Sequence, residues 1–191
     1  MKPVTTASQT VGPFFHFALD RPDWADLAAS GATGEKIRIE GSIRDGDGAP
    51  VFDAFLEIWQ ANAAGRYAHP EDRQDKPLDP RFRGFGRVFP DREGAFRFAT
   101  IRPGRVPGRG NMLQAPHLNV AIFGRGLLKQ LATRIYFADQ AEANEVDPVL
   151  GAIEDPAIRR TLLATPLNSA IPTYRFDIIL QGDGETAFFD I

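Results

Sequence analysis

Hydrophobic and polar residues alternate regularly over residues 35–44. The apolar or small residues of this segment share one face, and they are Ile37, Ile39, Gly41 and Ile43. Because successive side chains of a strand point to opposite faces, this pattern predicts a half-buried β-strand. The Asp-Gly repeat over residues 45–48 predicts a tight hairpin turn, since these residue types tolerate positive φ. Residues 51–60 are then the expected return strand.

Further β-rich segments follow, separated by many chain-breaking residues. Strands are expected over residues 94–100, 117–123, 130–138, 173–181 and 186–190. The chain has 18 glycines and 15 prolines among its 191 residues, which is more than globular proteins usually contain. Frequent breakers between short β-rich segments predict an all-β sandwich or barrel.

Helices are expected to be few and short. Asp147 and Asp155 each precede a proline, which is the pairing of an N-cap with a first helical residue. The two pairs predict short surface helices before the last strands, the second of them including residues 157–164. A third short helix is expected after Asp20, over residues 22–28.

The first twenty residues do not follow a strand pattern throughout. Residues 8–17, SQTVGPFFHF, are apolar and aromatic, but the pair Gly12-Pro13 interrupts them. An apolar segment of this kind has to be buried. The pattern leaves open whether it is buried on its own domain or on a partner.

Composition excludes several classes of function. The formal net charge of −3 argues against general nucleic-acid binding, which needs a basic surface. No run approaches about 18 apolar residues, so a membrane span is not expected, and no secretory signal is visible, so a cytoplasmic location is expected. The absence of cysteine excludes disulfides and thiolate chemistry. With three histidines and three tyrosines, a metal or acid–base site has few candidate groups.

Two candidate metal ligands lie on or near predicted strands. Residues two apart on a strand share a face, so a His-x-His pair would direct two imidazoles at one metal ion. This chain has His117 followed by Asn119, and a neutral amide is a poor transition-metal ligand. A hydrogen-bonded core histidine is the favoured interpretation of His117, and a packed loop tyrosine that of Tyr67.

Arg125 lies between Gly124 and Gly126, just after the strand expected at residues 117–123. An arginine in this setting is either a solvated turn residue or a clamp for a carboxylate, which the planar guanidinium binds well. The local pattern favours the solvated turn.

Several short motifs occur in a particular order along the chain. They are SQTVGPF (8–14), LEIWQAN (56–62), GRY (65–67), IRPG (101–104), APHLN (115–119) and YF (136–137). In this combination the sequence resembles the intradiol ring-cleaving dioxygenase family over residues 9–190. The resemblance implies a β-sandwich of two mixed sheets and a non-haem Fe(III) held by two tyrosines and two histidines. It also implies O2-dependent cleavage of a catechol ring between its hydroxyl-bearing carbons.

The resemblance assigns four ligand positions, of which two retain the family's residue. We refer to them as the ligand positions, and they are Tyr67, Val106, His117 and Asn119. Val106 stands in place of the second tyrosine, and Asn119 in place of the second histidine. Gln114 replaces an arginine that in catalytic chains assists the developing charge. The resemblance therefore implies that this chain holds no iron and contains no catalytic residue of its own.

These departures resemble the non-iron subunit of family members built from two homologous chains. In such members a β subunit holds Fe(III), residues 1–20 would be an extended N-terminal arm packed on that partner, and residues 21–191 would form a single sandwich domain. The arm and one arginine would line the entrance of the partner's site. This assigns four substrate-pocket residues, called the arginine cluster below: Thr10, Gly12, Pro13 and Arg125. Arg125 would attract the carboxylate of a small aromatic substrate.

Two other hypotheses remain beside this one. The chain could be a stand-alone β-sandwich binding module without catalysis. It could also be an autonomous metalloenzyme with a rebuilt ligand set, but the residues at 106, 114 and 119 together argue against this. The extent of the resemblance and the apolar N-terminal segment favour the non-iron subunit over the binding module.

Overall fold

The computed structural model describes residues 5–29, 31–108, 110 and 112–190. Strands predominate in this part of the chain, and its helices are few and short, as the sequence predicts. The strands are β1 (Lys36–Arg44), β2 (Phe55–Trp59), β3 (Phe85–Val88), β4 (Ala95–Ile101), β5 (Val106–Pro107), β6 (Leu113–Gln114), β7 (His117–Phe123), β8 (Leu131–Phe137), β9 (Leu163–Leu167), β10 (Thr173–Arg175) and β11 (Ile178–Ile179). The helices are α1 (Phe14–Leu19), α2 (Ala141–Glu145), α3 (Pro148–Gly151) and α4 (Pro156–Arg160), with a 3₁₀ turn over Pro22–Ala25.

Nine of the strands in the described residues join into one mixed sheet. Their hydrogen-bonded order is β11-β1-β10-β9-β8-β7-β2-β3, and β4 also pairs with β1. Most neighbours are antiparallel, but β10 and β11 run parallel to β1, and β9 runs parallel to β8. β9 pairs with β10 on one side and with β8 on the other, so it joins two halves of the sheet. One half consists of β1, β4, β10 and β11, and the other of β2, β3, β7 and β8. Together the strands form one large, nearly closed sheet. The predicted division into two sheets is not confirmed by this pairing.

Apolar side chains from both halves of the sheet meet in one core. Ile39 of β1 and Phe98 of β4 are buried there together with Ile58 of β2 and Leu118 of β7. Burying each such side chain stabilises the fold by about 1.5–3 kcal/mol. A second, smaller cluster lies next to α3 and consists of Ala115, Tyr136, Leu150 and Leu162.

The hairpin predicted after β1 forms only in part. The turn is present, with the Gly48 amide donating to the Asp45 carbonyl at 3.1 Å. The return chain pairs with β1 only at its end, through a bridge between Arg44 and Pro50 and a hydrogen bond from the Val51 amide to the Ile43 carbonyl. β2 lies within the predicted return strand, but it pairs with β3 and β7 instead of β1, because β4 occupies this edge of β1 over the preceding residues.

The predicted strand over residues 173–181 is interrupted between β10 and β11. A Cβ on Gly41 of β1 would lie 1.7 Å from the Phe176 carbonyl oxygen, so the two backbones approach closely at this point. The Asp177 carboxylate accepts hydrogen bonds from both the amide and the hydroxyl of Ser42. The segment predicted as a last strand, residues 186–190, makes only an isolated bridge between Phe189 and Ala132.

The helix predictions are confirmed where an aspartate precedes a proline. The Asp147 carboxylate accepts from the amides of Val149 and Leu150 at the start of α3, and Asp155 caps α4 in the same way. The sequence predicted too long a second helix, since α4 ends at Arg160 and β9 follows. The segment after Asp20 forms only a 3₁₀ turn. No helix in the described residues has the length and apolarity that crossing a membrane requires.

The N-terminal segment is not extended throughout, because α1 occupies its second half. The side chains of Phe14 and Phe17 are 79% and 87% exposed. On the opposite side of α1, Phe15 stacks on Phe55 with ring centroids 5.9 Å apart, and His16 contacts Phe89. Part of this segment therefore lies on its own domain while two phenylalanines remain uncovered. Residues 1–4 of the predicted arm lie outside the described residues.

Candidate functional site

The structure brings the ligand positions into one region at the start of β7. Asn119 Nδ2 donates a hydrogen bond to the Tyr67 hydroxyl at 3.1 Å. His117 lies two residues earlier on the same strand. Tyr67 and Val106 line one shallow pocket of about 740 Å³, together with Trp59. The structure thus joins Tyr67 to Asn119 by a hydrogen bond and to Val106 by a shared pocket, whereas His117 is near them only through its place on β7.

A tightly hydrogen-bonded loop positions Tyr67. The Asn62 side chain accepts from the amides of Ala64 and Arg66, and the Tyr67 amide donates to Asp72 at 2.7 Å. Gly65 has a φ of 80°, and a Cβ there would lie 2.0 Å from the Arg105 carbonyl oxygen, so this position requires glycine. The GRY motif thus has a local structural reason that is independent of any metal.

The Tyr67 side chain is held as a neutral phenol. Its ring stacks on Trp59 with centroids 5.8 Å apart and an interplanar angle of 9°. Burial raises the pKa of the Tyr67 hydroxyl above its usual value, although the hydrogen bond from Asn119 acts in the opposite direction. Tyr67 is therefore a neutral phenol at neutral pH.

His117 is a buried, neutral histidine. Its side chain is in the core, and its Nδ1 lies 2.8 Å from the Ala115 carbonyl oxygen. Because only an N–H can bond to a carbonyl, Nδ1 carries the proton. Burial, assisted by the positive charge of Arg134, lowers the pKa of His117 to about 4. The interpretation of His117 as a hydrogen-bonded core histidine is confirmed.

A buried polar network that the sequence did not reveal adjoins these residues. The Arg134 guanidinium donates to Gln114 Oε1 at 2.6 Å and to the Tyr136 hydroxyl at 3.1 Å. Tyr136 donates in turn to Asp147 at 3.3 Å, and that carboxylate also accepts from the Ala115 amide. The network places a permanent positive charge close enough to Tyr67 and His117 to affect the pKa of both.

The residues at the ligand positions do not fit Fe(III). The side chain of Val106 is buried and offers no donor atom. Asn119 directs its NH₂ group at Tyr67, and this orientation is fixed because the same group donates to the Trp59 carbonyl at 3.2 Å. No group of three or more His, Cys, Asp or Glu side chains suited to a metal ion occurs in the described part of the chain. No step of ring cleavage is therefore assigned to this chain.

The arginine cluster is also assembled, at a different place. The Thr10 hydroxyl donates to the Gly124 carbonyl at 3.3 Å and accepts from the Gly126 amide at 2.7 Å. Gly12, Pro13 and Arg125 line one pocket of about 660 Å³, whose other walls include Phe15, Phe55 and Asp53. The N-terminal segment is thus attached to the turn that carries Arg125.

The family assignment follows from comparison with known proteins. A sequence profile described as Dioxygenase matches residues 12–182. This chain belongs to the intradiol dioxygenase family. Among its relatives is the protocatechuate 3,4-dioxygenase alpha chain of Pseudomonas putida, which is 42% identical over 97% of this chain and 96% of the relative. The beta chain of Burkholderia cepacia is 40% identical over 80% of this chain and 67% of the relative.

Solved structures of dioxygenases share the fold. The dioxygenase domain of a dioxygenase carbohydrate-binding protein fusion from Streptomyces sp. SirexAA-E superposes with a TM-score of 0.62 at 26% identity, covering 95% of this chain and 99% of that one. The family is one that uses Fe(III).

The two clusters of this dioxygenase-family chain lie at opposite ends of β7. His117 begins this strand, and Arg125 follows its last residue, Phe123. At about 3.3 Å per residue, the strand separates them by about 20 Å. Arg125 therefore does not line the pocket that contains Tyr67 and Val106. If the arginine cluster contributes to an active site, that site is formed with another chain.

Proposed function

We propose that this chain is the non-iron alpha subunit of a protocatechuate 3,4-dioxygenase. The complete enzyme would cleave the ring of protocatechuate with O2 to give 3-carboxy-cis,cis-muconate. Fe(III) would be bound by a homologous beta subunit. The observation that carries the proposal is the donor set at the ligand positions, where Val106 has no donor atom and Asn119 presents its NH₂ group.

The relatives support the assignment to the alpha type. The alpha chain of P. putida aligns with nearly its full length, whereas the beta chain of B. cepacia aligns with about two thirds of its own. Since both chain types match one sequence, they share a fold with this chain, which suits a hetero-oligomer of two homologous subunits.

The arm and domain boundaries form part of the proposal. Residues 1–20 would pack on the beta subunit, and residues 21–191 would form one domain whose two sheet halves are the layers of a sandwich. The exposure of Phe14 and Phe17 supports an arm that is covered by a partner. A cytoplasmic location and the absence of nucleic-acid and membrane partners stay predictions from the sequence.

The arginine cluster would serve the partner's active site. Arg125 is 77% exposed at its side chain and is presented beside the pocket that Gly12 and Pro13 line. A guanidinium at the entrance would attract the carboxylate of protocatechuate, and Thr10 would hold the arm to the turn that carries it. In this proposal the chain contributes substrate recognition and assembly, and the beta subunit contributes the chemistry.

Co-expression tests this function. We expect the chain to co-purify with its cognate beta subunit and the complex to consume O2 with protocatechuate, while the chain alone has no such activity. A monodisperse monomer that does not associate with the beta subunit would favour the stand-alone binding module. Ring cleavage by the isolated chain would favour the autonomous metalloenzyme.

A further inference from the structure

Arg125 is exposed, but its backbone is held in one conformation. The Leu127 amide donates to the Gly124 carbonyl at 3.2 Å, which closes a four-residue turn around Arg125 and Gly126. Gly126 has a φ of 91°, a conformation that favours glycine and is expected at the third position of a type II turn. Thr10 bonds to the peptide groups on both sides of Arg125. The position of the arginine Cα is therefore fixed from two directions.

The Arg125 side chain is in turn held by a residue outside the arginine cluster. Asp53 Oδ2 lies 3.0 Å from Arg125 Nε. Asp53 is more buried than its partner, with 27% of its side chain exposed against 77% for the arginine. Within the described residues, neither terminal nitrogen of Arg125 has a hydrogen-bond or ion-pair partner. The carboxylate is thus an ion-pair partner on the Nε side of the guanidinium, without an aligned N–H···O hydrogen bond, and it leaves the outer edge available.

We propose that Asp53 is a positioning residue that directs the outer edge of the Arg125 guanidinium at the substrate carboxylate. This inference rests on the proposed function, because it requires Arg125 to meet an anionic aromatic substrate. The guanidinium pairs with carboxylates through two parallel N–H groups, so its orientation determines how well it does so. Asp53 would in this way contribute to selectivity for carboxylated catechols without touching the substrate.

Two effects of removing the Asp53 charge oppose each other. Loss of the ion pair frees the arginine to sample other rotamers, which weakens its contact with the substrate. Loss of a negative charge also removes the repulsion between Asp53 and an anion bound to Arg125, and salt screens this only in part because the groups lie within the Debye length of about 8 Å. We expect the loss of orientation to prevail, and a fall in the KM would show the opposite.

The test is the steady-state kinetics of the complete complex carrying Asp53→Asn. We expect the KM for protocatechuate to rise about threefold to fivefold, the upper part of the range that an exposed ion pair is worth. The kcat for protocatechuate and the KM for uncharged catechol should be unchanged. Asp53→Glu should restore most of the protocatechuate KM. Asp190→Asn, which removes an exposed ion pair with Lys129 and changes the net charge equally, is the matched control.

The outcomes separate this inference from the proposed function. If Asp53→Asn lowers the KM or leaves it unchanged while Arg125→Ala raises it, Asp53 does not position the arginine and the inference is wrong. If Arg125→Ala has no selective effect on protocatechuate, the role proposed for Arg125 is wrong, and the inference about Asp53, which depends on that role, is wrong as well. Equal effects of Asp53→Asn on the KM of both substrates would contradict the inference and indicate a general structural role. The same conclusion would follow if the effects of Arg125→Ala and Asp53→Asn on the KM for protocatechuate were additive in the double variant.

Discussion

Asn119 presents N–H groups, and no lone pair, to the hydroxyl of Tyr67. Its side chain bonds to the Tyr67 hydroxyl and to the Trp59 carbonyl, so the amide keeps the tyrosine in place without a metal. The neighbouring guanidinium of Arg134 donates to Gln114 and to Tyr136, which fixes the polar side chains behind this pocket. Each of these residues stabilises the pocket in a form that does not need iron.

His117 should make stability depend on pH. Its pKa is lowered to about 4 in the folded chain, so between about pH 6.5 and pH 4 the unfolded state binds a proton that the folded state does not. The free energy of unfolding should therefore fall by up to about 3 kcal/mol as the pH drops from about 6.5 to about 4. Below about pH 4, His117 should cause no further decrease. Denaturant unfolding of the complex at several pH values measures it. His117→Gln should flatten the dependence, and an unchanged slope would contradict the burial argument.

Arg125→Ala should act selectively on the charged substrate. Removing the guanidinium should raise the KM for protocatechuate and leave the KM for uncharged catechol unchanged, because only the former carries a carboxylate. The expected increase is about tenfold, the effect of a charge-assisted contact worth about 1.4 kcal/mol. Kinetics of the complex with both substrates measure it. An equal effect on the two substrates would rule out carboxylate attraction.

The two Asp-Pro pairs look equivalent in the sequence but differ in the structure. Asp147 is 1% exposed and accepts from four groups, those of Ala115, Tyr136, Val149 and Leu150. Asp155 is exposed, and its carboxylate accepts from one amide, that of Ala157. The first aspartate joins α3 to β8 and to the end of β6, whereas the second only caps its own helix.

This difference predicts unequal costs for the same substitution. Asp147→Ala should destabilise the chain by about 3–5 kcal/mol, because several buried donors lose their partner. Asp155→Ala should cost about 1 kcal/mol, as for an ordinary N-cap. Denaturant unfolding of both variants gives the comparison. Similar losses would mean that the network around Asp147 contributes little.

The strands that the sequence predicted well are those in which apolar and polar residues alternate within the strand itself. β1, β4, β7 and β8 lie within two residues of the predicted bounds. β9 was missed because residues 163–167 directly continue a helical pattern, and only pairing with β8 and β10 gives them strand geometry. The ligand positions followed from motifs, but Arg134 and Asp53 act through contacts between distant segments. No local pattern marks such contacts.

The N-terminal segment gives a prediction about α1 and the residues before it. Deleting residues up to Phe14 should reduce the turnover of the complex, because Thr10 then no longer holds the turn around Arg125. The sheet should stay folded, since residues 5–13 contribute no strand to it. Turnover and circular dichroism of the complex measure the two effects. Thr10→Val should cause a smaller loss of turnover than the deletion. Full turnover of the truncated complex would contradict the role proposed for this segment.

The whole molecule has two candidate regions, at opposite ends of β7. One end lies near the pocket of Tyr67 and Val106, and the other, about 20 Å away, carries Arg125 beside partly exposed phenylalanines. A single chain does not combine these into one active site. On the proposed function, a homologous subunit would supply the iron next to Arg125.

Iron content measured by elemental analysis tests this account most directly. The chain purified alone from iron-replete cells should contain no stoichiometric iron and should be colourless. The complex with the beta subunit should contain one iron per pair of chains and should show the colour of tyrosinate bound to Fe(III). Stoichiometric iron in the isolated chain, or two irons per pair of chains in the complex, would contradict the account.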